Sequence, residues 1–311
     1  MIIDKKNRQF KKLRVSLLQN CNFSCAYCSP SGSKLVNTGK QTPVNEILEN
    51  ISRIHDIVGL ESIRLTGGEP SLYKNLIELI LGLKKLNIPR IALTTNGSRL
   101  KKSATSLKNS GLDSINVSLD SISEEIFQKI NRFKGVGTVL EGIESALNAG
   151  IEVKINCTVM KGINETQILP ILEWAKERNI TTRYLELMKM GSIFYSHQDF
   201  YFSEKNIIEI IQQKYNLIEL GRKKSDTCTY WEIPGSIKIG VISNHSNPFC
   251  SDCDRLRMDY KGNIYGCLSE NTYFPIQKEE KELKIALEKA ILLKKERIFS
   301  GSSISMQSIG G

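Results

Sequence analysis

Residues 61–97 read ESIRLTGGEPSLYKNLIELILGLKKLNIPRIALTTNG and contain one full repeat of an alternating architecture. Ser62–Thr66 is a short β-rich stretch, Leu72–Leu86 carries apolar residues at helical spacing, and Ile91–Thr95 is β-rich again. Each strand runs directly into a glycine-bearing turn, Gly67–Pro70 after the first and Asn96–Gly97 after the second.

The same rhythm extends in both directions. Candidate strands lie at Leu13–Leu18, Ser114–Leu119, Glu152–Met160 and Thr182–Met188. Helical segments lie at Val44–Val58, with Ile47, Leu48, Ile51, Ile54 and Ile57 on one face, and at Gly137–Ala149 and Glu165–Arg178. Pro43 and Asn164 are helix-start signals. A repeated βα order implies parallel strands joined by right-handed crossovers. Six units are too few for an eight-stranded barrel, which leaves an incomplete barrel or an open doubly wound sheet. Both place chemistry at the carboxyl ends of strands, where Cys21, Gly67–Pro70, Asn96–Gly97 and Asp120 fall. From about residue 192 the rhythm fades. A helix near Ser203–Tyr215, a Gly-, Ser- and Cys-bearing region at 234–268, a Lys- and Glu-rich helix at about 277–297 and a polar tail follow. The domain boundary is placed near residue 220, giving 1–220 and 221–311.

The 311 residues can bury a substantial core. No apolar run reaches membrane-span length, and MIIDKKNRQF has no signal-peptide h-region, so a cytoplasmic chain with reduced thiols is expected. The net charge is +10, which favours anionic partners, although scattered lysines such as Lys84–Lys85, Lys101–Lys102 and Lys294–Lys295 also read as a solvated surface. No basic tract interleaved with aromatics suggests a nucleic-acid groove.

Six of the eight cysteines form two triplets. Cys21-x3-Cys25-x2-Cys28 follows a strand, and three thiolates from one short loop can ligate three irons of a [4Fe–4S] cubane while leaving the fourth open. Cys250-x2-Cys253-x13-Cys267 is a second group of three. Zinc is the alternative for each, with a distant fourth ligand for the first and His245 for the second. His55 and His197 read as structural or surface residues, Cys157 as core, and Cys228 has no assignment.

LRVSLLQNCNFSCAYC at 13–28, with Tyr27 between the last two cysteines and Gly67-Gly68-Glu69-Pro70 after the second strand, resembles the signature of the radical S-adenosylmethionine superfamily. NPFCSDCDRLRMDYKGNIYGCL at 247–268, INVSLDS at 115–121, VKINCTVMKGIN at 153–164, TRYLELMKMG at 182–191 and the Gly310–Gly311 end narrow the resemblance to the GTP 3′,8-cyclase family, which performs the first step of molybdenum cofactor biosynthesis.

The resemblance implies an α/β fold, an incomplete (β/α)6 TIM-like barrel with a C-terminal iron–sulfur extension. It implies two [4Fe–4S] clusters, on Cys21, Cys25 and Cys28 and on Cys250, Cys253 and Cys267, with S-adenosyl-L-methionine on the first. Tyr27, Gly68, Ser118 and Met188 would contact S-adenosylmethionine, with Glu69 pairing its ammonium. Arg14, Arg64, Thr94, Lys154, Arg255 and Arg257 would bind GTP, Arg183 would serve a late step, and Gly310 and Gly311 would help arrange the radical-forming site. A 5′-deoxyadenosyl radical would take hydrogen from ribose C3′, and C3′ would then bond to guanine C8. A flavodoxin or ferredoxin reductant, hand-off to cyclic pyranopterin monophosphate synthase and a monomer or homodimer are also implied, with no nucleic-acid or membrane partner. The chain departs from the family pattern at Gln19–Asn20, at Lys189–Met190 and at Ser62, where some relatives have a phosphate-binding lysine. A two-cluster enzyme acting on another nucleotide or a peptide is the alternative. A non-catalytic iron–sulfur carrier would not need the Gly67–Pro70 segment or the matched arginines.

Overall fold

The computed structural model describes residues 2–28, 41–295 and 298–309. Its first part runs β1 (Lys12–Ser16), α1 (Val44–Val58), β2 (Ser62–Thr66), α2 (Leu76–Lys85), β3 (Arg90–Thr95), α3 (Leu100–Asn109), β4 (Ser114–Ser118), α4 (Glu124–Asn131), α5 (Val136–Asn148), β5 (Glu152–Val159), α6 (Ile168–Lys176) and β6 (Thr181–Glu186). The second part adds α7 (His197–Phe200), α8 (Glu204–Gln212), β7 (Ile218–Gly221), β8 (Thr229–Glu232), β9 (Lys238–Ile242), β10 (Arg255–Met258), β11 (Asn263–Tyr265), β12 (Phe274–Pro275), α9 (Glu280–Leu292) and α10 (Met306–Ile309). Among the described residues no helix is long and apolar enough to cross a membrane.

Among the described residues twelve strands form one sheet in the order β12-β11-β10-β1-β2-β3-β4-β5-β6-β9-β8-β7. The six expected strands pair in parallel, each with its successor. The C-terminal part then adds a parallel strand at each edge, β10 beside β1 and β9 beside β6. The partial barrel is therefore extended on both flanks by one stretch of chain.

Side-chain alternation explains what this sheet is for. Leu13 and Val15, Ile63 and Leu65, Ile91 and Leu93, Ile115 and Val117, Ile155 and Cys157, Tyr184, and Leu256 and Met258 are all buried and pack outward under the helices. The residues between them are Arg14, Arg64, Thr94, Asn116, Lys154, Asn156, Arg183 and Arg257, and these line the concave side. A buried parallel sheet is ordinarily apolar on both faces. Here the inner face is polar and cationic, so it is built to hold a ligand and not to fill itself with side chains.

Local differences from expectation have identifiable causes. The 72–86 helix is delayed: Glu69 caps Ser71 N–H, Pro70–Leu72 forms a 3-10 turn, and α2 starts at Leu76. Asn164 precedes a 3-10 turn, but its side chain turns inward, donating to Asp120 O at 2.8 Å and Thr158 O at 3.0 Å. His197 is buried and not a surface-loop residue, its Nε2 lying 2.7 Å from Leu187 O. Lys294 is also buried, unlike its neighbour Lys295.

Candidate active site

The first cysteine loop is held from two sides. Ser24 and Ala26 donate backbone N–H groups to Asn131 O and Ile130 O at the end of α4, and Cys25 Sγ donates to Asn131 Oδ1 at 3.1 Å. Phe23 stacks on Phe133 at 4.3 Å and meets Phe127 edge-on at 5.9 Å. On the other side Gly68 N–H donates to Leu18 O and Glu69 N–H to Asn20 O, each at 2.7 Å. The glycine pair is required by this contact. Gly67 has φ +138°, and a Cβ at Gly68 would lie 2.0 Å from Asn20 O. Gly68→Ala is therefore expected to destabilise the protein by roughly 3 kcal/mol or more, because backbone meets backbone and no side chain can yield. The unfolding temperature of the apoprotein checks this.

Glu69 is buried, and burial raises its pKa. Its carboxylate accepts from Thr95 Oγ1 at 2.6 Å, Asn96 N–H at 2.7 Å and Ser71 N–H at 3.0 Å. These three donors leave part of an ionised carboxylate's acceptor capacity. Asn96 continues the network to Asn22 Oδ1 at 2.9 Å and Cys21 Sγ at 3.9 Å. Tyr27 O–H donates to Asp120 Oδ2 at 2.8 Å, and the other oxygen of Asp120 accepts Thr158 N–H at 2.8 Å. Burial pushes Asp120 up to about 6 despite these donors. Asn96, Asp120 and Asn131 position the loop; the strand-end places of Asn96 and Asp120 point to the site, but nothing in the sequence marks their partners or Asn131.

Burial pushes the Cys21 thiol up to about 12, with the nearby Glu69 carboxylate adding to it. Burial likewise holds Cys25 well above the ordinary thiol range, with Cys28 adding repulsion. Grouped buried thiols of this kind become thiolates only against a strongly positive centre. Among the described residues no three His, Cys, Asp or Glu side chains converge as they would on a single ion. A cubane asks for something different, one thiolate per iron and the thiolates held apart. Among the described residues His245 does not converge with the second triplet as a zinc ligand would; its ring packs with His197 at 4.5 Å and with Tyr201 and Phe299 at 5.7 Å.

The second triplet has a different electrostatic setting. Burial alone would raise Cys253, but the Lys294 ammonium and the Arg255 guanidinium outweigh it and bring the thiol to about 6. Lys294 Nζ lies 3.5 Å from Cys253 Sγ. Cys250 is pushed up to about 11 by burial and by Cys267 and Cys253. Its carbonyl accepts from Arg8 Nη1 at 2.8 Å. None of the eight cysteines forms a disulfide.

Between the triplets the strand register sets cations side by side. Arg14 on β1 is the direct partner of Arg64 on β2 and of Arg257 on β10. They sit mid-strand and line the cavity. A second row runs Thr94–Asn116–Lys154 and a third Ser118–Asn156–Arg183. Burial and then the charges of Arg257, Arg64 and Arg255 hold Arg14 well below the usual guanidinium value. Arg64 is brought down to about 9 by burial and Arg183, and Arg257 to about 10 by burial against the opposing pull of Cys267 and Cys253. Guanidinium does not deprotonate in proteins. The shifts therefore mark the cost of desolvating guanidinium groups that stay charged, with like-charge repulsion from neighbouring arginines added to it. Arg183 donates Nε–H to Asn156 Oδ1 at 3.0 Å, and its Nη2 is buried without a partner, as is that of Arg255. Lys154 pairs with Glu152 at 2.8 Å.

One cavity of about 840 Å³ is lined by both cysteine triplets, Tyr27, Gly68, Glu69, Thr94, Ser118, Met188, Lys154, Arg183 and the four arginines 14, 64, 255 and 257. That is towards the upper end of the roughly 300–1,000 Å³ of small-molecule sites. The C-terminal segment closes on it: Ser302 exchanges backbone hydrogen bonds with Lys189 and Gly191, Ser305 Oγ donates to Cys28 O at 3.2 Å, and Met306 lines the cavity. Gly310 and Gly311 lie outside the described residues.

A partial barrel with a cysteine triplet at the strand ends is the architecture of radical S-adenosylmethionine enzymes, and residues 15–175 match the Radical SAM superfamily model. Residues 180–300 match Molybdenum Cofactor Synthesis C. The chain is 35% identical to the GTP 3′,8-cyclase of Helicobacter pylori strain 26695, across 96% of this chain and 94% of that one. It is 37% identical to that of Staphylococcus epidermidis strain ATCC 12228, across 86% and 81%. Drosophila melanogaster molybdenum cofactor biosynthesis protein 1 is 33% identical across 93% of this chain and 52% of that one. Among solved structures, Streptococcus suis SuiB bound to the precursor peptide SuiA superposes with a TM-score of 0.69 at 15% identity, across 92% of this chain and 68% of that one. This last likeness concerns the fold alone. The chain belongs to the GTP 3′,8-cyclase family of the radical S-adenosylmethionine superfamily.

Proposed function

We propose that this chain converts GTP to 3′,8-cyclo-7,8-dihydro-GTP, the first step of molybdenum cofactor biosynthesis. The observation that carries this reading is the cavity-lining Arg257–Arg14–Arg64 row between two cysteine triplets. A triphosphate is the anion that relieves such a row, and arginine binds phosphate oxygens in pairs.

Cys21, Cys25 and Cys28 would hold one [4Fe–4S] cluster and Cys250, Cys253 and Cys267 the other, each leaving an open iron. When bound, S-adenosylmethionine and the first cluster supply a 5′-deoxyadenosyl radical for abstraction of hydrogen from C3′ of GTP, whose ring closure at C8 follows. Tyr27, fixed by Asp120, would pack beside the adenosyl group, and Gly68, Ser118 and Met188 would complete that pocket. Glu69 would take the methionyl ammonium with its remaining acceptor capacity. Arg14, Arg64, Thr94, Lys154, Arg255 and Arg257 would bind the nucleotide. Arg183, oriented by Asn156 and with an unpartnered Nη2, serves the closing step of the cyclised nucleotide. Gly310 and Gly311 follow directly on Ile309, whose side chain is fully buried, and would complete the radical-forming end. Ser62 is flanked in register by Lys12 and Arg90, so cations remain on both sides of the position where relatives carry lysine.

The reaction needs a one-electron donor such as flavodoxin or ferredoxin, and its product is suited to onward processing by cyclic pyranopterin monophosphate synthase in the cytoplasm. Anaerobically reconstituted protein given dithionite, S-adenosylmethionine and GTP is expected to form the cyclic nucleotide with one 5′-deoxyadenosine per turnover. Cleavage of S-adenosylmethionine with GTP left intact would remove GTP as the substrate.

A further inference from the structure

Lys294 follows α9 and is 6% exposed. Its ammonium donates to Arg255 O at 2.8 Å, to Gly266 O at 2.8 Å and to Cys253 Sγ at 3.5 Å, and it lies 5.4 Å from the Phe10 ring centroid. A lysine ammonium has three donors, and these three acceptors use them all. Among the described residues it makes no ion pair with a carboxylate. A charge buried this far is costly unless a counter-charge meets it. The sulfur of Cys253 is the acceptor here that can carry one.

The two carbonyls matter as much as the sulfur. Arg255 lies two residues after Cys253, and Gly266 lies immediately before Cys267. One ammonium thus ties together the two chain segments that carry two of the three ligands, while its third donor reaches one of those ligands directly. Beta pairing alone does not fix this, because β10 and β11 share only two register pairs, Arg257 with Tyr265 and Met258 with Ile264.

We propose that Lys294 is a positioning residue of the second iron–sulfur site: it sets the spacing of the Cys253 and Cys267 arms and, through its charge and its hydrogen bond to sulfur, makes the bound cluster easier to reduce. This rests on the reading of Cys250, Cys253 and Cys267 as cluster ligands. A cation donating to a ligating sulfur favours the reduced, more negative cluster, and hydrogen bonding and local charge are recognised determinants of cluster potential.

The test uses the full-length chain carrying Cys21→Ala, Cys25→Ala and Cys28→Ala, so that only the second cluster reports. Iron content and an anaerobic redox titration followed by electron paramagnetic resonance are compared with Lys at 294 and after Lys294→Gln. Lys294→Gln is expected to lower the midpoint by at least about 59 mV, a tenfold drop in the reduced-to-oxidised ratio at fixed potential. Lys294→Arg, which keeps the charge, is expected to restore most of it. Full iron loading with an unchanged midpoint in Lys294→Gln would overturn the role of Lys294 and leave the second cluster standing. No iron uptake with lysine in place would overturn the second cluster itself, and the role with it. A measurement that needs no substitution at 294 decides the matter if Lys294→Gln does not fold. With lysine uniformly labelled with nitrogen-15, pulsed electron paramagnetic resonance of the reduced cluster is expected to show a weak lysine-nitrogen coupling, and its absence would overturn the contact.

Discussion

Cys21→Ala is expected to abolish S-adenosylmethionine cleavage and to lower the iron content from about eight to about four per chain, since each [4Fe–4S] cluster depends on its own three thiolates. The reason is local. Cys21 is one of three thiols in a loop clamped between the end of α4 and the Gly68–Glu69 backbone, and no fourth cysteine lies near enough in the chain to replace it. Cys157→Ala supplies the contrast. Cys157 is fully buried, whereas Cys21 is half-buried on the cavity wall, and Cys157 packs on the outward side of β5, so its loss should cost about 1 kcal/mol of packing and leave the iron content unchanged. Iron analysis and 5′-deoxyadenosine formation on the two variants check both halves. Equal iron in Cys21→Ala and the parent would mean that the loop is not a cluster site.

Arg14→Met should act in opposite directions on stability and binding. In the GTP-free protein, Arg14 lines the cavity between Arg64 and Arg257, and its replacement by an apolar chain of similar length removes two like-charge neighbours. Stability should rise by about 1–2 kcal/mol, seen as a few degrees in Tm. Binding of GTP should weaken roughly 10- to 100-fold, the range expected when a charge-assisted hydrogen bond worth about 1.5–3 kcal/mol is lost. The loss of stabilisation by inorganic triphosphate should follow the loss of GTP affinity. S-adenosylmethionine cleavage without cyclisation should continue, because Arg14 makes no contact with the Cys21–Cys28 loop in the hydrogen-bond network described above. A lower Tm together with an unchanged Kd for GTP would show that the row is structural.

Much of this was legible before any coordinates. Apolar residues spaced two apart marked Ile63 and Leu65, Ile91 and Leu93, and Ile115 and Val117, and the six strands they anchor pair in the expected order. The triplets were visible because cluster ligation needs one residue type at short spacing. Three things were not legible. The first is that β9 and β10 flank opposite edges of the six-stranded β1–β6 part, since strands of four or five residues in a Gly- and Ser-bearing region carry little periodic signal. The second is that Arg14, Arg64 and Arg257 stand abreast, because register between strands that are distant in sequence is set by pairing and not by either strand alone. The third is Lys294. It reads as half of a surface lysine pair, and only the return of the chain after α9 buries it against Cys253.

The central claim is that the cavity between the triplets holds GTP with its ribose presented to the radical-forming end. GTP deuterated at C3′ tests this most directly, with the 5′-deoxyadenosine analysed by mass spectrometry after one anaerobic turnover. The account predicts deuterium in the 5′-methyl group of the 5′-deoxyadenosine together with formation of the cyclic nucleotide. Unlabelled 5′-deoxyadenosine produced in step with the nucleotide product, or deuterium retained in GTP, would contradict it.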